Sequence, residues 1–342
     1  MGFIKKIIFF ILKIVLKIVV FLLVVFVLLT AFLFIFNPPE QENQKFGVNF
    51  SQKHAKDLGL DWKETYTALL DDLEVKKLKV AAHWDLLEPK DGEFFFEDLD
   101  WQIEEAQKRE AKVLLAIGMK TPRWPECHFP EWAKGLSKEE QQEKILEMLR
   151  EVVLRYKDSG AIEHWQVENE PFFPFGVCSW VDRDFLQKEI DLVRSLDSQE
   201  RPVIITDTGE FSTWLTAARM GDKAGTTMYR KVWFRQIGFY LSYPFPPSYY
   251  WRKAQIVKLL LNKEVLVVEL QAEPWGPKLL YDSPLSEQEK TMNLAQFKKN
   301  IDFAKRTGFK EYYLWGAEWW HWMKEVQGNS EIWNEAKILF SP

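Results

Sequence analysis

HWQVENEPFF, His164–Phe173, sets two glutamates around an asparagine with a proline directly after. The residues before it, from Ala161, are short, apolar and β-favouring, so Ile162–Val167 reads as a buried strand. A strand that ends in Glu-Asn-Glu-Pro places carboxylates where a loop begins. Its neighbours along the chain decide what kind of sheet it joins.

Working outward, short apolar runs alternate with longer amphipathic stretches. Strands are expected at Phe46–Phe50, Leu78–Trp84, Lys112–Gly118, Ile162–Val167, Pro202–Thr206, Ala224–Tyr229, Val265–Leu270 and Tyr312–Gly316. Helices are expected at Asp61–Leu73, Leu99–Arg109, Lys138–Tyr156, Arg183–Leu196, Ser212–Met220, Ala254–Leu261, Glu287–Thr307 and Ile332–Phe340. An aromatic, Pro-rich insert covers Ile237–Trp251. Eight strand–helix units in about 300 residues give the count of a (β/α)8 TIM barrel, an α/β fold. A doubly wound sheet would want a Gly-rich phosphate turn after an early strand. Neither FGVNFSQ nor AAHWDLL supplies one.

The N-terminus is of another kind. Ile18–Phe36 is apolar except for Thr30, enough helix to cross a bilayer core of about 30 Å. Lys5, Lys6, Lys13 and Lys17 precede it, and Glu40 and Glu42 follow. The positive-inside rule puts the N-terminus in the cytoplasm and the barrel outside, a single-pass protein of the plasma membrane. The run ends FLFIFNPPEQ, without a small-x-small cleavage site, which favours an uncleaved signal anchor. Lys6 spoils a myristoylation signal. The expected organisation is therefore a cytoplasmic tip and span over residues 1–36, a linker over 37–44, and one catalytic barrel over 45–342.

A net charge of −5 gives no reason to expect nucleic acid as a partner. The five histidines and two cysteines show no paired metal-ligand spacing, so neither a metal nor another cofactor is expected. Oligomeric state is not encoded in any feature of the sequence. Sixteen tryptophans mean either flat stacking surfaces or simply a bulky core.

In a barrel the chemistry sits at the C-terminal strand ends. The fourth strand ends in Glu168-Asn169-Glu170-Pro171, and the seventh, VLVV, runs into Glu269. A glutamate after four buried apolar residues is costly unless it faces a polar cleft. Two such carboxyls meet the need of glycoside hydrolysis for a proton donor and a nucleophile or base.

The Asn-Glu-Pro after strand four, with a second Glu ending strand seven, resembles clan A of the glycoside hydrolases. WDLLEPKDGEFFFEDLD (Trp84–Asp100), AIGMKTPRWP (Ala116–Pro125) and YLWGAEWW (Tyr313–Trp320) look like the clan's exits from strands two, three and eight. The resemblance implies a retaining β-glycosidase with Glu170 as acid/base and Glu269 as nucleophile. It further implies Asn169 on the hydroxyl next to the anomeric carbon, Tyr229 on the nucleophile, and Trp315 stacked on the sugar. Trp84, His83, Trp124, Trp275 and Glu318 are further expected binding residues, while Glu168 and Glu273 are read as binding or structural. The clan's arginine near the end of strand two is missing: either His83 or another residue takes its place, or His83 is simply a core histidine. Cys127 and Cys178 fall in loops that a barrel makes neighbours, and either form a disulfide or stay free. Trp132, Trp180 and Trp319 are placed with Trp124 and Trp275 in the mouth loops, so the partner expected is an oligo- or polysaccharide. A non-catalytic carbohydrate-binding barrel and a transglycosylase acting on surface glycans are the alternatives.

Overall fold

The computed structural model describes residues 2–341. Eight parallel strands close into a barrel: β1 (Lys45–Phe50), β2 (Lys77–Ala81), β3 (Lys112–Ile117), β4 (Ile162–Val167), β5 (Val203–Asp207), β6 (Lys223–Met228), β9 (Val265–Gln271) and β10 (Glu311–Trp315). Between β6 and β9 the chain makes an antiparallel hairpin outside the barrel, β7 (Lys231–Phe234) and β8 (Phe239–Ser242). β1 pairs with both β2 and β10, which closes the ring. This is the (β/α)8 barrel expected from the sequence.

The helices follow local rules. Lys138–Tyr156 begins with a capping box, in which the Ser137 hydroxyl accepts from the Glu140 N–H and the Glu140 carboxylate accepts from the Ser137 N–H. Asp61 and Asp182 cap Trp62–Asp71 and Arg183–Leu196 through their side chains. The apolar faces of these helices cover the outer strand faces in one continuous core. A second, small cluster of Leu114, Ile204, Leu266, Val268 and Tyr313 fills the barrel interior.

Four expectations shift. β2 ends at Ala81, so His83 and Trp84 lie beyond it, Trp84 opening a short helix to Leu87. The helix expected from Ala254 begins at Pro247, where proline fits the first turn because its missing N–H is not needed there. The helix expected over Glu287–Thr307 is two pieces, Leu285–Gln288 and Leu294–Lys305, because the Asn293 side chain caps a fresh start by accepting from Gln296 N–H. Leu215–Met220 starts later than Ser212, since Trp214 sits at φ 63° and cannot belong to it.

The lower, N-terminal end of the barrel is plugged by charge. Lys77 is paired with Glu163 and, at 3.1 Å, with Glu311. Lys223 Nζ lies 2.9 Å from His164 Nε2. Glu163, His164 and Glu311 thus come within metal-ligand distance of one another although their spacing in sequence gave no hint of it. Lys77 already meets both carboxylates, so the group is built as an ion-pair plug.

Ahead of the barrel stands one helix, Gly2–Phe34, whose Lys5–Phe34 portion is long and apolar enough to cross a membrane. Its last turn touches the barrel: the Phe34 ring lies 6.4 Å from Phe245 and 5.8 Å from Tyr249.

Barrel closure leaves no room at Gly47. A Cβ there would sit 2.5 Å from the Lys77 carbonyl oxygen on β2. Gly47→Ala is expected to cost about 1–3 kcal/mol through forced separation of the strands. A fall in the urea midpoint at constant m checks this, and an unchanged midpoint contradicts it.

Candidate functional site

β4 presents Glu168, Asn169 and Glu170 at the upper end of the barrel. Glu168 (φ 58°) and Glu170 (φ 43°) both adopt left-handed backbone, which side chains such as theirs seldom accept. Neighbouring strands hold them there. Asn169 N–H donates to Lys120 O at 2.7 Å, and Glu170 N–H donates to Thr206 Oγ1 at 2.7 Å. Lys120 Nζ donates to the carbonyls of Glu170 and Phe173. Glu168 turns away from the mouth and accepts from the Met119 and Lys120 N–H groups at 2.7 and 2.6 Å. Gly118 (φ 120°) makes room for it, because a Cβ there would lie 2.3 Å from Glu168 Oε1.

β9 carries Glu269. Its Oε1 takes a hydrogen bond from Lys79 Nζ at 3.1 Å, and its Oε2 takes one from Tyr229 O–H at 3.1 Å. All three groups lie in the barrel mouth, and Glu269 and Lys79 are buried. The cation that meets Glu269 is therefore Lys79, in the middle of β2, and not a residue near the end of that strand. His83 is instead a core histidine: its Nδ1 is 2.8 Å from Thr121 Oγ1 and its Nε2 3.4 Å from Ser51 Oγ. Burial holds it well below the usual imidazole range, so it is neutral.

The carboxyl of Glu170 receives no hydrogen bond from any described residue. Burial raises it well above the ordinary carboxylate range, and the nearby Glu269 and Glu126 raise it further. Glu126 is a third carboxyl in the mouth that the sequence reading did not single out. It accepts from Asn169 Nδ2 at 3.1 Å, and burial lifts it to about 7. Asn169 is fixed from its other end, where Gln166 Nε2 donates to its Oδ1 at 3.1 Å. Cys178 is joined to Cys127 by a disulfide with Cα atoms 5.2 Å apart, tying the loops after β3 and β4 together beside Glu126.

Arg123 organises the remaining side of the mouth. It pairs with Glu273, and with Glu318 Oε2 at 3.0 Å, while its guanidinium covers one face of Trp315 at 3.9 Å. Burial opposes charge on Glu273, but Arg123 and His54 outweigh it and hold the carboxyl down at about 2. Glu318 is fully buried, and its other oxygen accepts from Ser51 N–H at 2.6 Å. It braces Arg123 and is not free to meet a sugar, which corrects the expectation of a binding role. Trp315 Nε1 is buried without a partner among the described residues.

The aromatic rim is narrower than expected. Trp84 is wholly buried, packs on Phe129 and Trp132, and gives its N–H to Glu88 Oε2, so it belongs to the core and not to the cleft. Trp132, Trp180 and Trp319 likewise spend their N–H groups on Glu88 O, Gln141 and Gln288. Trp124, 48% exposed, and Trp275 remain at the mouth, both against Phe175. Trp275 also packs on Tyr229 at 5.1 Å.

Two of the missed residues carried a signal. A lysine inside a strand buried on both faces, as in Leu-Lys79-Val-Ala, needs a buried anion as partner. Arg123 stood inside a segment already quoted, yet nothing local tells which carboxylates it would reach. Glu126 had no signal beyond its place next to Cys127.

Residues 60–187 match the family model described as Beta-galactosidase. The match takes in Asn169 and Glu170 and stops short of Glu269. A β-galactosidase from the Antarctic haloarchaeon Halorubrum lacusprofundi superimposes with TM-score 0.51 at 17% identity, over 79% of this chain and 52% of that one. The chain thus spans about half the length of that enzyme. Xylanase 10B from Thermotoga petrophila gives TM-score 0.51 at 16% identity, over 80% of this chain and 82% of that one. GH5_18 from Bifidobacterium longum gives 0.56 at 12%, over 80% and 70%. At these identities the likeness to the solved structures is one of fold. The matched family and these neighbours are glycoside hydrolases of clan A, the group the sequence resembles. No curated protein matches the chain.

The three mouth carboxyls are coupled by charge, with a definite sign. Ionised Glu126 makes ionisation of Glu170 harder. Glu126→Gln removes that charge, so the Glu170 midpoint is expected to fall. Carboxyl 13C shifts in glutamate-labelled protein read this directly; a midpoint that stays or rises contradicts the coupling.

Proposed function

We propose that the chain is a membrane-anchored retaining glycoside hydrolase that cleaves β-glycosidic bonds in an oligo- or polysaccharide. The observation that carries this reading is the unequal treatment of two buried carboxyls at one barrel mouth. Glu269 is held by an ammonium and a phenol. Glu170 has no donor among the described residues and is pushed toward its protonated form. One environment stabilises a carboxylate and the other a carboxylic acid, the division of labour a two-step glycosidase needs.

In the first step Glu269 attacks the anomeric carbon while Glu170 gives its proton to the departing glycosidic oxygen. The product is a glycosyl ester on Glu269 and a free hydroxyl on the leaving sugar. Loss of that proton leaves Glu170 as a carboxylate, which then takes a proton from water as the water attacks the same carbon from the opposite face. Two inversions give net retention, and both glutamates return to their starting states. Lys79 and Tyr229 aim Glu269 and hold its charge until attack. Asn169, fixed by Gln166, points its amide at the Glu126 carboxyl, where a sugar hydroxyl beside the anomeric carbon would replace or bridge that contact. Trp275 and Trp124 offer flat faces to sugar C–H groups at the rim.

The helix Gly2–Phe34 is read as an uncleaved anchor in the plasma membrane. Lysines on its N-terminal side and glutamates beyond it favour a cytoplasmic N-terminus and an external barrel. A disulfide in the barrel suits that oxidising side.

Glu269→Ala is expected to abolish turnover of aryl β-glycosides. Added azide then restores release of the aryl group and yields the glycosyl azide of inverted configuration. Unchanged activity in that variant contradicts the assignment.

A further inference from the structure

The transmembrane reading proposed above fixes one point of the barrel relative to the bilayer. An apolar helix leaves the hydrocarbon near its last apolar residues, here Phe32–Phe36. Those residues touch a definite part of the barrel. Phe34 meets Phe245 and Tyr249, and the Arg252 guanidinium lies 4.6 Å from the Phe32 ring and 5.2 Å from Phe36.

This contact lies at the level of the catalytic mouth. Tyr249 O–H donates to Glu210 O at 2.7 Å, Glu210 Oε1 accepts from Tyr229 N–H at 3.0 Å, and Tyr229 O–H reaches Glu269. From Phe36 the chain runs down the side of the barrel, past Gly308 at Pro38, to its lower end. There Gln44 Nε2 donates to Lys305 O and Phe309 O, and Lys45 N–H donates to Lys310 O. The bottom is therefore the end farther from the membrane, and the segment between is pinned at both ends.

An apolar apron runs on from this contact through Phe245 and Tyr243. Phe211, in the loop after β5, is 68% exposed and packs edge-on against Tyr243 and Phe245. Ile237 and Phe239 at the β7–β8 tip are each 51% exposed. Large exposed aromatics beside tyrosines, with the Arg252 guanidinium against the Phe32 and Phe36 rings, match the make-up of an interfacial belt. We infer that the loop after β5 and the β7–β8 hairpin form a second membrane contact, which rests on the outer leaflet and holds the cleft mouth toward the bilayer. A mouth so held meets glycans tethered to that same bilayer, such as those carried on lipid, before it meets free ones.

The test uses the full chain in vesicles of phosphatidylcholine and phosphatidylglycerol, with nitroxide labels at Phe211→Cys, Phe239→Cys or Leu259→Cys. Leu259 is an internal comparison: it is 83% exposed and equally apolar but lies near the lower end of the helix Pro247–Leu261. Labels at 211 and 239 are expected to collide several-fold more with oxygen than with a water-soluble nickel chelate, and the label at 259 to show the reverse. Vesicle-bound protein with all three labels in water overturns the contact and leaves the anchor standing. A label at 259 immersed in place of 239 overturns the orientation. Protein that does not float with the vesicles removes the anchor, and the contact with it. None of these readouts depends on glycosidase activity.

Discussion

Charge buried in a closed barrel is the constraint on which the rest depends. The upper end of the barrel holds Glu126, Glu168, Glu170, Glu269, Glu273 and Glu318, all buried, against Lys79, Lys120 and Arg123. Stripped of water, an unpaired carboxylate is costly, so each must be paired, hydrogen-bonded or protonated. The fold uses all three solutions. Arg123 pairs Glu273 and Glu318, backbone N–H groups hold Glu168, and Lys79 with Tyr229 holds Glu269. Glu170, which has no donor among the described residues, and Glu126 move toward protonation, and burial lifts Glu168 as well, to about 7 despite its two N–H donors. The chemistry proposed for the site uses that remainder: a proton is stored next to a fixed anion because the cations are already committed.

The frame around this mouth is stiff where it matters. Left-handed backbone at Glu168 and Glu170 is held by hydrogen bonds from β3 and β5, and the disulfide ties two rim loops beside Glu126. Strain of this kind persists only when several neighbours impose it, which is the usual condition of a preorganised site. The tryptophans divide in the same spirit. Those whose N–H finds a partner inside the fold build walls, and those left at the rim keep a free face.

The barrel was legible in the sequence because its strands are short, apolar and separated by amphipathic helices, and because each period is set locally. Helix starts were less legible. Pro247 and Asn293 override hydrophobic periodicity through capping, and Trp214 does so through its backbone conformation. In the site, Glu170 and Glu269 could be found because each sits at the end of an apolar run. Lys79, Arg123 and Glu126 could not be assigned roles, since their partners lie far off in the chain and meet only when the ring closes. Trp84 and Glu318 were read as binding residues on proximity in sequence to the cleft, and their contacts placed them in the walls.

The central claim is that Glu269, held by Lys79 and Tyr229, forms a covalent bond to the sugar. Trapping tests it most directly. The full chain is incubated with a panel of aryl 2-deoxy-2-fluoro-β-glycosides, digested with protease and examined by mass spectrometry. The account predicts one fluoroglycosyl group on the peptide that contains Glu269, lost when that residue is changed to glutamine. A label carried instead by Glu126, Glu168 or Glu170 would contradict it.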